Sequence, residues 1–238
     1  MWMVDHRPVL SVIMPVYNEA LSVEASLRRL YKTEIPLAQK KEVIVIDDHS
    51  TDGSDEILIR LQAELGFQRV RQAKNQGKGA ALRRGIGMAT GDIIVFHDAD
   101  LELDPKEFNK MLPILVARKS DVVYGSRYSG GEIRKLVPFR HELANRFLTL
   151  LVNLITDLNF SDMETCFKMF RADKLKAISL TANRFEIEPE ITIKAAKQGL
   201  QFYEVAISYE GRSHAQGKKI NWKDGLSAIY YIFRYAFS

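Results

Sequence analysis

The chain reads as an α/β protein, a mostly parallel sheet flanked by helices. Three observations carry this. Short apolar runs alternate with helix-like segments through the first half of the 238 residues, the signature of strand–helix–strand units. Polar motifs sit just past the apolar runs, at Tyr17-Asn18-Glu19, Asp47-Asp48, Asp98-Ala99-Asp100 and Gly125-Ser126-Arg127. Open parallel sheets bind ligands there, outside the carboxyl ends of their strands. The 238 residues suffice for one large α/β domain or two small ones, and with 46% hydrophobic and 27% charged residues the chain is too apolar to be disordered.

The elements follow in order. Residues 9–14, VLSVIM, form the first strand, and residues 20–31 the first helix. Residues 42–46, EVIVI, give a second strand, and residues 54–65 a second helix. A short strand at 67–70 precedes a helix over 79–89. IIVF at 93–96 is an apolar, buried strand, and a helix opens at Pro105. Residues 121–124 add another strand. In the second half, residues 136–158 form a long helix with apolar positions Leu143, Phe147, Leu150, Leu151 and Leu154. A strand at 166–170, a helix at 190–198, a strand at 202–209 and an aromatic-rich helix at 222–237 complete the chain.

Chemistry concentrates in IIVFHDADLELDP, residues 93–105. Asp98, Asp100 and Glu102 alternate, so in an extended chain three carboxylates converge at the strand's carboxyl end. Such a cluster is costly unless a cation or solvent compensates it. Mg²⁺ or Mn²⁺ would do so, usually carrying phosphates; the alternative is an acidic loop in water. DDHSTDGS, residues 47–54, follows a strand and opens a helix. Asp47 or Asp48 there can accept hydrogen bonds from a base or ribose, whereas Ser50, Thr51, Asp52 and Gly53 also suit plain capping. In Asn75-Gln76-Gly77-Lys78-Gly79 the glycines permit close backbone approach and Lys78 offers a cation near a helix N-terminus. The spacing is not that of a P-loop.

PVYNE (15–19), DDHSTDGS, NQGKGAALRRG and DADLE occur in that order, and together they resemble the family-two glycosyltransferases with the GT-A fold. YGSRYSGG (124–131), SDMETCFKMFR (161–171) and EVAISYEGRSHAQGKKI (204–220) resemble, more loosely, the dolichyl-phosphate mannose synthase and polyprenyl-phosphate glycosyltransferase branch. The resemblance implies a Rossmann-like GT-A sheet in one domain, residues 1–238. Residues 1–130 would bind the nucleotide sugar, and residues 131–238 would form a helical acceptor side ending in an amphipathic helix. The implied activity is that of an inverting, metal-dependent hexosyltransferase. It would use a GDP- or UDP-linked donor, a polyprenyl (dolichyl-type) phosphate acceptor, and Mg²⁺ or Mn²⁺.

The same resemblance assigns roles. Pro15, Tyr17, Glu19, Asp47 and Asp48 match the segments that line the nucleobase pocket, and Lys78 is a further donor-side candidate. Asp98 and Asp100 match the carboxylates that hold metal and diphosphate. Glu102 stands where relatives often carry glutamine and is a third candidate ligand. Arg127 matches a phosphate-binding arginine; Arg140 is either a second one or a surface arginine. Arg212 and Lys218 match the Arg/Lys pair of a mobile loop that closes over phosphates. Asp100, Arg127 and Arg212 are thus the catalytic candidates, with Arg127, Arg140 and Glu190 on the acceptor side. Glu190 is equally explained as an acid favoured at a helix N-terminus.

A lipid monophosphate has a second pKa of about 6 and is largely ionised at neutral pH. It needs cationic positioning more than a general base. A saccharide hydroxyl would need a carboxylate base, for which Asp162, Glu188 and Glu190 are available. A sugar nucleotidyltransferase is a third reading, opposed by PVYNE where a glycine-rich, arginine-containing loop is expected. A degenerate scaffold is a fourth, opposed by intact Asp98, Asp100 and Arg127.

The net charge of +4 permits an anionic partner, and no nucleic acid is expected. The single cysteine, Cys166, excludes an internal disulfide and reads as core. Asp5, His6 and Arg7 interrupt the N-terminus, which does not read as a signal peptide. No run reaches about 18 apolar residues. The expected location is cytoplasmic, peripheral at the cytoplasmic face of a membrane. Residues 134–158 and 222–237 would seat it there, or else pack on the domain or a partner subunit.

Overall fold

The computed structural model describes residues 7–117, 120–211 and 222–237. The apolar runs become strands: β1 (Val9–Val16), β2 (Lys40–Asp47), β3 (Gln68–Arg71), β4 (Ile93–Phe96), β5 (Val122–Ser126), β6 (Lys168–Arg171) and β7 (Phe202–Ala206). They form one sheet in the order β3-β2-β1-β4-β6-β5-β7. β1 pairs in parallel with β2 and β4, β2 with β3, and β5 with β7. β6 runs antiparallel to both β4 and β5. Leu10, Val12, Ile13, Ile94 and Val95 are fully buried. Such two-sided burial is why β1 and β4 read as continuous apolar runs.

The helices are α1 (Val23–Lys32), α2 (Ser54–Leu65), α3 (Lys78–Met88), α4 (Phe108–Ala117, after a 3₁₀ turn at Pro105–Glu107), α5 (Phe139–Thr156), α6 (Ala172–Lys176), α7 (Ile187–Lys197) and α8 (Trp222–Ala236). α1 starts later than expected because the N–H groups of Ser22 and Val23 both donate to Glu19 O, closing a turn first. α5 starts after Pro138, whose ring keeps Val137 out of the helical region. α6 spans five residues, too few to show a helical period. α7 takes Pro189 into its first turn, where a missing N–H breaks no helical bond.

Most of the apolar positions expected on α5 face solvent. Leu143, Phe147, Leu150 and Leu154 are 48–73% exposed, while the helix buries Asn145, Leu148, Thr149 and Val152. Phe139 is exposed on the same spacing, so α5 carries an apolar stripe toward solvent. Among the described residues no helix is long and apolar enough to cross a membrane.

Candidate active site

The carboxyl ends of β1, β2, β4 and β5 open on a cavity of about 370 Å³, within the usual range for a small-molecule site. Pro15, Tyr17 and Glu19 line it from the end of β1, and Asp48 from the end of β2. Lys78 enters from the start of α3, and Asp98, Asp100 and Glu102 from the loop after β4. Arg127 enters from the end of β5.

The two aspartates at the tip of β2 separate by role. Asp47 is fully buried and outside the cavity lining. It accepts the Ser50 N–H at 3.1 Å and lies 3.3 Å from Arg71 Nε. It builds the turn, contrary to the donor-contact expectation. Asp48 accepts the N–H groups of Gln76 (2.8 Å) and Gly77 (2.7 Å) and the Gln72 amide (2.7 Å). Its carboxylate fixes the turn that leads into α3. The hydroxyls after them also bind outward. Ser50 Oγ accepts from Asn18 N and Ser54 Oγ from Glu19 N, while α2 has no side-chain cap at Gly53. The segment ties β2 to the end of β1, and Asp52 also accepts the N–H of Ser54, the first residue of α2, at 3.0 Å.

Gly77 and Gly79 are approached by this chain's own backbone. A Cβ on Gly77 (φ +99°) would meet Asn183 O, and one on Gly79 would lie 2.6 Å from Ala182 O. Ala80 N donates to Asn183 O at 3.0 Å across the same contact.

Lys78 Nζ lies 2.9 Å from Asp98 and 3.1 Å from Glu188. Burial would push this ammonium down, yet the charges around it, Asp98 and Glu188 among them, hold it well above its ordinary value. Burial would likewise raise Asp98, and Lys78 outweighs it, leaving the carboxyl below its usual value. His97, at the end of β4, faces inward between Phe108 and Phe167. Burial pushes it down to about 4, so it is neutral at physiological pH. The Cys166 thiol is buried, and burial raises it well above its ordinary value. It is a protonated wall group, in keeping with a core role.

The three carboxylates after β4 do not alternate along an extended strand. The strand ends at Phe96, and Leu101 takes φ +64°. Asp100 accepts the Glu102 N–H at 3.1 Å, and Glu102 accepts the Tyr209 hydroxyl at 3.1 Å. Among the described residues no three His, Cys, Asp or Glu side chains are placed to hold a metal. The expected convergence with Glu102 is therefore absent, and Glu102 ties the loop to Tyr209 instead. Asp98 and Asp100 remain as a pair of hard oxygen donors on the cavity wall. That pair suits Mg²⁺ or Mn²⁺, which commonly binds through one or two carboxylates plus substrate phosphates.

On the other side Arg127 forks onto Asp162, with Nε at 2.6 Å and Nη2 at 2.8 Å, and lies 5.3 Å from the Tyr209 ring centre. Asp162 is fully buried and also takes the Arg127 N–H and the Asn145 amide. Glu190 is fully buried away from the cavity and accepts from Thr181 N, Ala182 N and Lys194. It shapes the loop before α7, contrary to the acceptor expectation. Arg140 is exposed on the first turn of α5, outside the lining. Arg212 and Lys218 lie outside the described residues.

Glu164 was not anticipated, and Glu188 only as a base. Both line the cavity, with Arg184, Phe185 and Tyr209. Glu188 bridges Lys78 to the buried Lys168. Glu164 sits before a strand, where the rule about strand ends gives no signal. β6 is antiparallel, so its start lies beside the ends of β4 and β5.

Residues 11–179 match the family model Glycosyl transferase family 2. Dodecaprenyl-phosphate galacturonate synthase of Rhizobium johnstonii is 27% identical over 214 residues, covering 88% of this chain and 61% of that protein. Dolichol-phosphate mannosyltransferase of Pyrococcus furiosus is 29% identical over 216 residues, covering 89% of this chain and 60% of that one. The chain thus spans about three fifths of the length of these relatives. Glucosyl-3-phosphoglycerate synthase of Mycobacterium tuberculosis, solved with uridine diphosphate, superposes with a TM-score of 0.73 at 19% identity, covering 97% of this chain and 80% of that one. The sheet is accordingly that of the GT-A glycosyltransferases, and the chain belongs to glycosyl transferase family 2.

Proposed function

We propose that this chain transfers a sugar, with inversion, from a nucleotide-diphosphate donor to a polyprenyl phosphate at a membrane surface. The observation that carries this is the opposition, in one cavity, of the Asp98–Asp100 pair and Lys78 to a fixed arginine, Arg127. The Rhizobium and Pyrococcus relatives are named for a dodecaprenyl phosphate and a dolichol phosphate. The Mycobacterium tuberculosis synthase has also been solved with Mn²⁺ and uridine-diphosphate-glucose.

Asp98 and Asp100 would hold Mg²⁺ or Mn²⁺, which as a Lewis acid would offset charge on the departing diphosphate. Lys78 supplies a second positive charge on that side. Pro15, Tyr17 and Glu19 form the wall for the base, with Asp48 fixing the turn beneath Lys78. The fork to Asp162 uses Nε and Nη2 of Arg127 and leaves Nη1 for the acceptor phosphate. Attack from that side, opposite the leaving diphosphate, inverts the anomeric carbon.

A saccharide hydroxyl acceptor would need a free base. Asp162 is held by Arg127, Glu188 by two lysines, and Glu190 by the loop before α7. Those commitments remove the three bases read from the sequence, and Arg127 beside the cavity favours an acceptor that brings its own negative charge. The exposed stripe of α5 and the exposed Tyr230, Phe233 and Phe237 of the C-terminal segment support a peripheral seat on a membrane, which the proposal places at the cytoplasmic face. α5 packs against α8, and Arg140, Arg146 and Arg234 flank the two apolar faces.

Incubation with UDP- or GDP-sugars, Mn²⁺ and a polyprenyl phosphate should yield the glycosylated lipid. Asp100→Asn should lower turnover by more than about tenfold, roughly 1.4 kcal/mol of barrier or more. Brisk glycosylation of a free saccharide, with polyprenyl phosphate ignored, would overturn the proposal.

A further inference from the structure

Glu164 reaches the cavity from the loop before β6. Its Oε1 is buried and has no hydrogen-bond partner among the described residues. Its neighbours differ. Asp162 carries Arg127 and Asn145, and Glu188 carries Lys78 and Lys168. An unsatisfied buried oxygen is costly and rare. On a residue that lines the cavity, it marks a place where a ligand can complete the site.

Four charged groups act on Glu164: Glu188 on α7, Lys168 on β6, Arg127 at the end of β5, and Asp162 on its own loop. Burial and the charge of Glu188 push its carboxyl up to about 7, against the pull of Lys168 and Arg127. A neutral acid and a carboxylate are therefore both accessible near physiological pH.

We propose that Glu164 is an acceptor-binding residue that shares one proton with the incoming phosphate and, when neutral, donates a hydrogen bond to the phosphate dianion. This rests on the phosphate-acceptor reading above. Two anions at close range resist ionising together and titrate as a pair. A phosphate monoester gives up its second proton near pH 6, below the carboxyl it meets. A monoanionic phosphate arriving at ionised Glu164 passes its O–H proton to the carboxylate, leaving a dianion beside a neutral acid. A phosphate oxygen then forms a bond to the anomeric carbon. The bond from that carbon to the leaving phosphate oxygen breaks, and its electron pair departs with the nucleoside diphosphate. Glu164 keeps its proton throughout. The carboxyl thus serves as a hydrogen-bond donor to the nucleophile, opposite Arg127.

The test is the pH dependence of kcat and KM for geranyl phosphate, at saturating nucleotide sugar and Mg²⁺, in the wild type and Glu164→Gln. In the wild type, kcat/KM should fall below about pH 6 as the phosphate gains its second proton. It should fall again above about pH 7 as Glu164 ionises and KM for the phosphate rises. Glu164→Gln stays neutral and still donates from its amide. It should keep at least about a tenth of the rate at pH 6.5 and lose the alkaline limb, with KM flat up to about pH 8.5. Calorimetric titration of geranyl phosphate should show the same affinity trend without turnover. An alkaline limb that survives in Glu164→Gln overturns the proposal. So does loss of activity at every pH with unchanged thermal unfolding, which is the behaviour of a missing general base. Failure of every isoprenyl phosphate as substrate, with a saccharide accepted instead, overturns the phosphate-acceptor reading itself and is a separate result.

Discussion

On the donor side of the cavity, polar groups hold backbone. Asp48 carries the turn into α3, Ser50 and Ser54 carry the end of β1, and Asp47 closes its own turn. On the acceptor side, charges hold charges: Arg127 on Asp162 and Lys168 on Glu188, with Glu188 also reaching across to the donor-side Lys78. The difference teaches where function and folding can be separated. Changing a donor-side group loosens a loop, whereas deleting one acceptor-side charge strands its partner in the interior.

The largest effect expected from this contrast is at Asp162. Asp162→Ala would leave the Arg127 guanidinium largely buried beside two aromatic rings without the carboxylate it forks onto. Breaking a buried pair in this way costs about 3–5 kcal/mol, to be read from urea unfolding. Replacing both partners with apolar residues, Arg127→Met with Asp162→Leu, should recover part of the loss while leaving transfer abolished. The pair also sets an acid limit. Burial would raise Asp162, but Arg127 outweighs it and holds the carboxyl below 3.8. That contribution is complete above the unfolded value and disappears as pH falls through the lower folded one. A loss under about 1 kcal/mol for Asp162→Ala would break the contrast.

An intermediate effect is expected where the two sides meet. A methyl group on Gly79 would lie 2.6 Å from Ala182 O and 2.9 Å from Arg184 O, both backbone atoms with little room to yield. Gly79→Ala should therefore cost about 1–3 kcal/mol. At this chain length each kcal/mol lowers Tm by about 2–4 °C. Because the contact also places Lys78, donor affinity should fall with stability. A thermally neutral Gly79→Ala would mean that the acceptor-side loop is not seated on α3 as described.

The fold and the donor side were legible for one physical reason: buried parallel strands are apolar runs whose ends carry the ligand groups. Pro15 sits at the end of β1, while Asp48, Lys78, Asp98 and Asp100 follow a strand or open a helix, and all line the cavity. The acceptor side was harder to read because β6 is inverted. Its cavity residues, Glu164 and Cys166, precede the strand, and no apolar run points to them. Asp47 and Glu190 have the right residue type beside the right motif, yet their carboxylates turn inward onto backbone N–H groups. Sequence spacing cannot separate Asp47 from Asp48, since adjacent strand residues point to opposite faces and either could face the ligand. The stripe on α5 was visible as a period, but a period does not say which side faces water.

The smallest effect separates those two adjacent aspartates. Asp48→Asn removes one of the two carboxylate oxygens that receive Gln72, Gln76 and Gly77. The turn into α3 keeps its shape with fewer charge-assisted bonds, a loss of about 1 kcal/mol in stability. Lys78 follows that turn and, in the proposed function, meets the diphosphate, so the donor KM should rise severalfold with kcat nearly unchanged, the pattern of weakened ground-state binding. Asp47→Asn should behave differently. Its side chain is outside the cavity and paired with Ser50 N and Arg71. It should lower Tm and leave the donor KM alone. Steady-state kinetics with the nucleotide sugar varied, alongside thermal unfolding of both variants, decides the matter. An equal rise in donor KM for Asp47→Asn would return Asp47 to the ligand and remove the division between turn-building and ligand-facing groups on which the donor side rests.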